Sequence, residues 1–168
     1  YGLRDYAIIV LLSRLGLRAN EIALLKLNDI NWHAGSLNIR GKGRTLVSLP
    51  LLPEVGVALS NYLQNARPKT DSRSVFVRAL APHSEFASSA GISQIAKTAL
   101  MRAGITVKHK GTHIFRHSLA TSLLQAGASL SEIGQVLRHK SHDTTRIYAK
   151  VDIDGLRVLA MPWQGEPR

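Results

Sequence analysis

From Leu3 to Leu15 the chain is almost continuously apolar, and Tyr6, Ala7, Ile9, Val10 and Leu12 fall too densely for a one-sided stripe, so the segment reads as a buried helix. Gly16 breaks the pattern. It restarts through Asn20, Glu21, Ile22, Leu24 and Leu25, with Asn20 as the expected N-cap, which places Arg18 in the elbow between two helices. Between Asp29 and Pro50 the texture shortens to alternating pieces around Ile30/Trp32, Leu37/Ile39 and Leu46/Val47/Leu49, separated by Ala34-Gly35 and Gly41-Lys42-Gly43. Three short antiparallel strands are the economical reading. Helical spacing returns from Pro53 to Ala66, with Pro53 in the first turn, and the polar run Arg67 to Arg73 closes it. Val75 to Val77 reads as one more short strand, and Ala79 to Ser89, without periodicity, as a loop.

Further helices are expected at Ile92 to Ala103, stopped by Gly104, and at His113 to Ala126, with Thr112 as N-cap and Gly127 as stop. Another follows at Leu130 to Leu137, where Ser129 and Glu132 make a capping box, and a last short one at Thr144 to Lys150. No internal repeat or low-complexity tract interrupts this series. The expected fold class is α+β, mainly α: one helical domain over residues 1–150 carrying a small three-stranded antiparallel sheet, and a tail over 151–168.

Composition narrows the partners. A chain of 168 residues with 45% apolar positions can bury a core, and 22 Lys plus Arg against 11 Asp plus Glu give a formal charge of +11. That balance favours a polyanion, nucleic acid first and anionic lipid second. The apolar run Ala7 to Leu12 is far too short to span a bilayer, so no membrane partner is expected. The absence of cysteine excludes disulfides, thiolate metal sites and cysteine nucleophiles. Because the chain opens at Tyr1, it reads as a fragment from which an N-terminal region is missing.

Two segments carry candidate chemistry. His113 and Arg116 lie three apart, on one helix face and near a helix N-terminus, which suits a phosphate. His139 ends an apolar helix and Tyr148 follows nine residues later in a basic stretch, where a phenol attacks at neutral pH only if cations or a base assist it. Taken alone, the first segment is equally consistent with a surface helix whose His and Arg face water, and a lone tyrosine in a basic segment is more often just packing.

Gly16-Leu17-Arg18-Ala19-Asn20-Glu21, Gly41-Lys42-Gly43-Arg44, His113-Ile114-Phe115-Arg116-His117, Leu137-Arg138-His139 and Thr144-Thr145-Arg146-Ile147-Tyr148, in this order, resemble the catalytic domain of the tyrosine recombinases, the phage integrase family. The resemblance implies that Tyr148 is the nucleophile, Arg18 and Arg116 the catalytic arginines, Lys42 the hairpin lysine, and His113 and His139 the two histidines. Glu21 would be the supporting acidic residue. It further implies DNA cleavage and rejoining through a 3′-phosphotyrosyl link, with no metal, ATP or other cofactor. Arg44, Arg138, Lys140 and Arg146 are expected to contact DNA. The partner implied is double-stranded DNA, bound by a homo-oligomer, a tetramer, that is monomeric or weakly associated without it. The location implied is the cytoplasm, at the nucleoid, in a bacterium, phage or mobile element. Family members usually carry an N-terminal DNA-binding domain, and nothing here resembles it.

The sequence departs from the family pattern in two places. Arg138 stands where glycine is usual, adding a cation and changing how that helix ends, and Ile114-Phe115 replaces an acidic-apolar pair. Other readings remain open at this level. A type IB topoisomerase shares the same chemistry, and a DNA-binding module could keep the basic surface with a relic tyrosine. A histidine metal site is suggested by His113/His117 and His139/His142, although no acidic base accompanies them and many cations surround them.

Overall fold

The computed structural model describes residues 2–41, 46–105 and 111–138. Helix α1 (Gly2–Arg14) leads through a short linker to α2 (Ala19–Ala23), and strands β1 (Ile30–Asn31), β2 (Ser36–Arg40) and β3 (Leu46–Pro50) follow. Helices α3 (Pro53–Asn65), α4 (Ala90–Arg102), α5 (His113–Gln125) and α6 (Leu130–Val136) complete the series. The chain divides into two compact units, residues 1–116 and 117–168, with the division falling inside α5.

In the first unit the dense apolar run becomes α1 because α1 packs against α2, α3 and α4 and therefore buries more than one face. Ile8, Leu11 and Leu12 are fully enclosed, while Leu3 and Tyr6 in the first turns remain exposed. Helix α3 instead shows a one-sided stripe, with Val55, Ala58, Leu59 and Tyr62 buried at helical spacing. Tyr62 stacks on Phe76, ring centroids 5.3 Å apart, and burial pushes its hydroxyl pKa above the ordinary value.

The sheet has the order β1-β2-β3, antiparallel throughout, with Leu37 opposite Leu49 and Ile39 opposite Val47. Leu37 and Ile39 point into the core, so the period of two fixes the register. Trp32 does not extend β1. It lies in the turn beyond the strand and is half exposed, and a 3-10 turn at Leu27–Asp29 precedes β1.

The expected strand at Val75 to Val77 is not formed. Ser74 bridges Lys26 and Val77 bridges Glu85, each as an isolated pair, while the Val75 N–H donates to the Leu25 carbonyl. Val75, Phe76 and Val77 are all buried, whereas an edge strand with one covered face would alternate. The segment is a core plug, tied down by the Arg67 guanidinium, which donates to the carbonyls of Ser72, Ser74 and Val75.

In the second unit, Ala120, Ile133 and Leu137 form a small buried cluster lined by Leu119, Leu123, Leu124 and Leu130. The capping box appears as expected: the Ser129 hydroxyl accepts the Glu132 N–H, and the Glu132 carboxylate accepts the Ser129 N–H at 2.8 Å. Helix α6 closes at Leu137, and Arg138 follows in the left-handed region at φ +54°. The expected helix at Thr144 to Lys150 and the tail over 151–168 lie outside the described residues.

Candidate functional site

The linker between α1 and α2 turns at Gly16, whose φ of +56° is open to glycine at little cost. Arg18, and not Asn20, is the N-cap of α2, with extended backbone at φ −79° and ψ 150°. Asn20 has a favourable side chain for the role, but Glu21 decides the boundary. Its Oε2 accepts the Arg18 N–H at 2.8 Å, the reciprocal bond of a capping box, so the helix starts one turn before Glu21. The other oxygen, Oε1, accepts Arg18 Nη1 at 2.9 Å. The Glu21 side chain is only 5% exposed against 41% for Arg18, so a buried carboxylate holds a guanidinium whose outer part reaches solvent.

Arg116 reaches the same elbow from the first turn of α5. It is 5% exposed, and its Nη1 donates to the Gly16 carbonyl at 2.6 Å across 100 positions of sequence. Both arginines are thus fixed to one short linker, Arg18 through Glu21 and Arg116 through Gly16. His113, one turn before Arg116 and exposed, lines with the two arginines a cleft of about 340 Å³. Leu17, Ala19, Asn20, Ser89, Ser93, Gly111 and Thr112 complete its wall. A second cleft, about 360 Å³ and lined by Arg4, Tyr62, Ala66, Pro68, Val77 and Ala79, contains none of the motif residues.

The structure therefore brings together Arg18, Glu21, His113 and Arg116. Lys42, Arg44, His139, Lys140, Arg146 and Tyr148 lie outside the described residues. The end of β2, before residues 42–45, is held by an ion pair: Arg40 makes a two-pronged contact with the buried Asp29, at 3.0 and 2.8 Å. Asp29 also accepts the Lys26 N–H at 2.8 Å. Arg138 belongs to the second unit, where its Nη1 donates to the Val136 carbonyl. Sequence reasoning singled out neither Ser89, in the aperiodic stretch before α4, nor Ser93, one turn into the helix.

Among the described residues no group of three or more His, Asp or Glu side chains is placed to hold a metal ion. Nor is any described helix long and apolar enough to cross a membrane.

A family profile described as "Phage integrase family" matches residues 1–154. The chain belongs to the phage integrase family. It is 52% identical over 166 residues to y4rA, an integrase/recombinase by name, of Sinorhizobium fredii, covering 98% of this chain and 40% of that protein. It is 35% identical to the tyrosine recombinase XerC of Oceanobacillus iheyensis, covering 95% of this chain and 53% of that protein. Both relatives are thus much longer than the chain. Among solved structures, the XerH site-specific recombinase bound to a palindromic difH substrate, in a post-cleavage complex, superposes with a TM-score of 0.78. It is 26% identical and covers 97% of this chain and 46% of that one. The mainly helical fold with a small antiparallel sheet is the fold of phage integrase family catalytic domains.

Proposed function

We propose that the chain is the catalytic domain, residues 1–150, of a tyrosine-type site-specific DNA recombinase, which breaks and rejoins strands without metal or ATP. The observation that carries this reading is the anchoring of Arg18 and Arg116 on one elbow beside a cleft that His113 also lines. Two guanidiniums held by protein partners are preorganised donors for the non-bridging oxygens of a phosphodiester. Negative charge concentrates there in the transition state, and loss of either clamp is expected to cost on the order of 10² in rate.

In this proposal the Tyr148 hydroxyl oxygen attacks the scissile phosphorus and the bond to the 5′-oxygen breaks. The product is a 3′-phosphotyrosyl link and a free 5′-hydroxyl. The tyrosine proton passes to a histidine, His113 or His139, and Lys42 gives its proton to the leaving oxygen as general acid. Reversal with a second 5′-hydroxyl reseals the strand and conserves the bond energy. Arg44, Arg138, Lys140 and Arg146 neutralise neighbouring phosphates, so affinity falls steeply with salt. Double-stranded DNA is the partner, a homotetramer is the active assembly, and the tail over 151–168 packs in cis or on a neighbouring protomer. The XerH complex with its DNA substrate supports the choice of DNA.

The test is strand exchange in EDTA between two labelled duplexes carrying a candidate site taken from flanking genomic DNA. Recombinant strands that vanish in Tyr148→Phe are the expected result. Relaxation of supercoiled DNA without exchange would favour a type IB topoisomerase, and binding without either reaction would favour an inert DNA-binding module.

A further inference from the structure

We propose that Ser89 and Ser93 form a second phosphate subsite in the cleft, taking a non-bridging oxygen of the phosphodiester next to the one held by Arg18 and Arg116; this rests on the recombinase reading above. The two serines lie four apart at the start of α4, hence one above the other on one helix face, and both line the cleft that the arginines and His113 line. Neither hydroxyl has a hydrogen-bond partner among the described residues. The contrast with Ser129 explains this for Ser89. Ser129 caps α6 with extended backbone, ψ 155°, which turns its hydroxyl to the Glu132 N–H, whereas Ser89 precedes α4 with ψ −10° and makes no side-chain cap bond. Its hydroxyl is left available to the cleft.

The turn that presents them is held in place. A Cβ at Gly91 would come within 2.5 Å of the Phe86 ring, so the first turn of α4 packs directly on the preceding loop. The cleft, about 340 Å³, is open to solvent and carries both serines in the same wall as Arg18, His113 and Arg116. Hydroxyls that line an open cleft without a protein partner are free to exchange water for whatever accepts from them. A phosphate oxygen does so, and serine is a common neutral donor to DNA backbone phosphates.

The experiment uses the whole chain and a nicked suicide duplex carrying the candidate site, with each phosphate flanking the scissile one replaced in turn by a neutral methylphosphonate. Binding is read by titration and cleavage by covalent adduct. With wild-type protein, one flanking replacement is expected to weaken binding about tenfold, the size of a lost hydrogen bond to a charged group. The Ser89→Ala/Ser93→Ala variant should lose about as much on ordinary DNA and nothing further on that one analogue. Ser93→Thr, which keeps its hydroxyl, should restore part of the affinity. Equal binding by the double variant and wild type on every duplex, or losses that simply multiply, would overturn the proposal. Binding is read separately from cleavage, so a wild-type protein that binds but forms no adduct counts against the recombinase reading and not against the subsite.

Discussion

Replacing Glu21 tests how the first arginine is held. Its carboxylate is 5% exposed and accepts the Arg18 N–H at 2.8 Å and Arg18 Nη1 at 2.9 Å. The backbone bond is a helix-start cap worth about 1 kcal/mol. The side-chain pair is worth about 0.5 to 1 kcal/mol after allowing for the 41% exposure of Arg18, since solvent screens exposed ion pairs. Truncation also leaves a small void among buried neighbours, so Glu21→Ala should cost about 2 to 3 kcal/mol in all. For a chain of this length that lowers Tm by roughly 5 to 10 °C. Glu21→Gln keeps one carbonyl oxygen but turns an amide N–H₂ toward a donor, so it should cost less stability, about 1 to 2 kcal/mol, while still displacing the guanidinium. The assay is thermal unfolding of both variants, alone and combined with Arg18→Ala, together with single-turnover cleavage. The account predicts a coupling energy of about 0.5 to 1 kcal/mol in the cycle and a cleavage loss of about tenfold or more in Glu21→Gln. Glu21→Ala and Glu21→Gln melting within about 1 °C of wild type, with no coupling to Arg18, would refute the reasoning.

Arg138 holds a left-handed φ of +54°, so Arg138→Gly should stabilise the chain by about 0.5 to 1 kcal/mol, read as a rise in Tm of about 2 to 4 °C; a fall would show that the arginine's contacts outweigh its backbone strain. Gly91→Ala should destabilise by about 1 to 3 kcal/mol because the Phe86 ring, 2.5 Å from the new methyl, must move; denaturant unfolding with an unchanged midpoint would contradict this. The Glu132 carboxyl lies below its ordinary pKa of 4.5, first because the Ser129 hydroxyl donates to it and then because the Ser129 N–H does. A depressed carboxyl contributes stability that is present above the unfolded value and lost as pH falls through the folded one. A carboxyl titration followed by NMR should therefore place Glu132 below 4.5, and a value at or above it would remove that contribution.

Much of the fold was legible because its signals are local. The capping box at Ser129, the glycine stop at Gly127 and the alternation of Leu37 and Ile39 each follow from a few neighbouring residues. The exceptions come from long-range packing. Val75 to Val77 carries a β-rich composition, yet it serves as a plug whose three side chains all go inward, and only the positions of Lys26, Leu25 and Glu85 dictate that. The division of the chain inside α5 could not be read either, since the apolar pattern runs on through Arg116 and His117. At the site, the resemblance singled out Arg18, Glu21, His113 and Arg116, and the structure brings these four together. The bond from Arg116 to the Gly16 carbonyl could not be foreseen, because a backbone acceptor 100 positions away leaves no mark in side-chain chemistry. Ser89 and Ser93 were hidden for a related reason: a serine at a loop end or on a helix face is ordinary, and only the cleft singles these two out.

The central claim is tested most directly by incubating the chain, in EDTA, with a nicked suicide duplex carrying the candidate site and analysing the trapped product by denaturing gel and peptide mass spectrometry. The account predicts a covalent adduct in which a nucleotide 3′-phosphate is joined to Tyr148, absent from Tyr148→Phe and reduced by about 10² in Arg116→Ala. An adduct attached to any other residue, an adduct that persists in Tyr148→Phe, or clear binding with no adduct would contradict it.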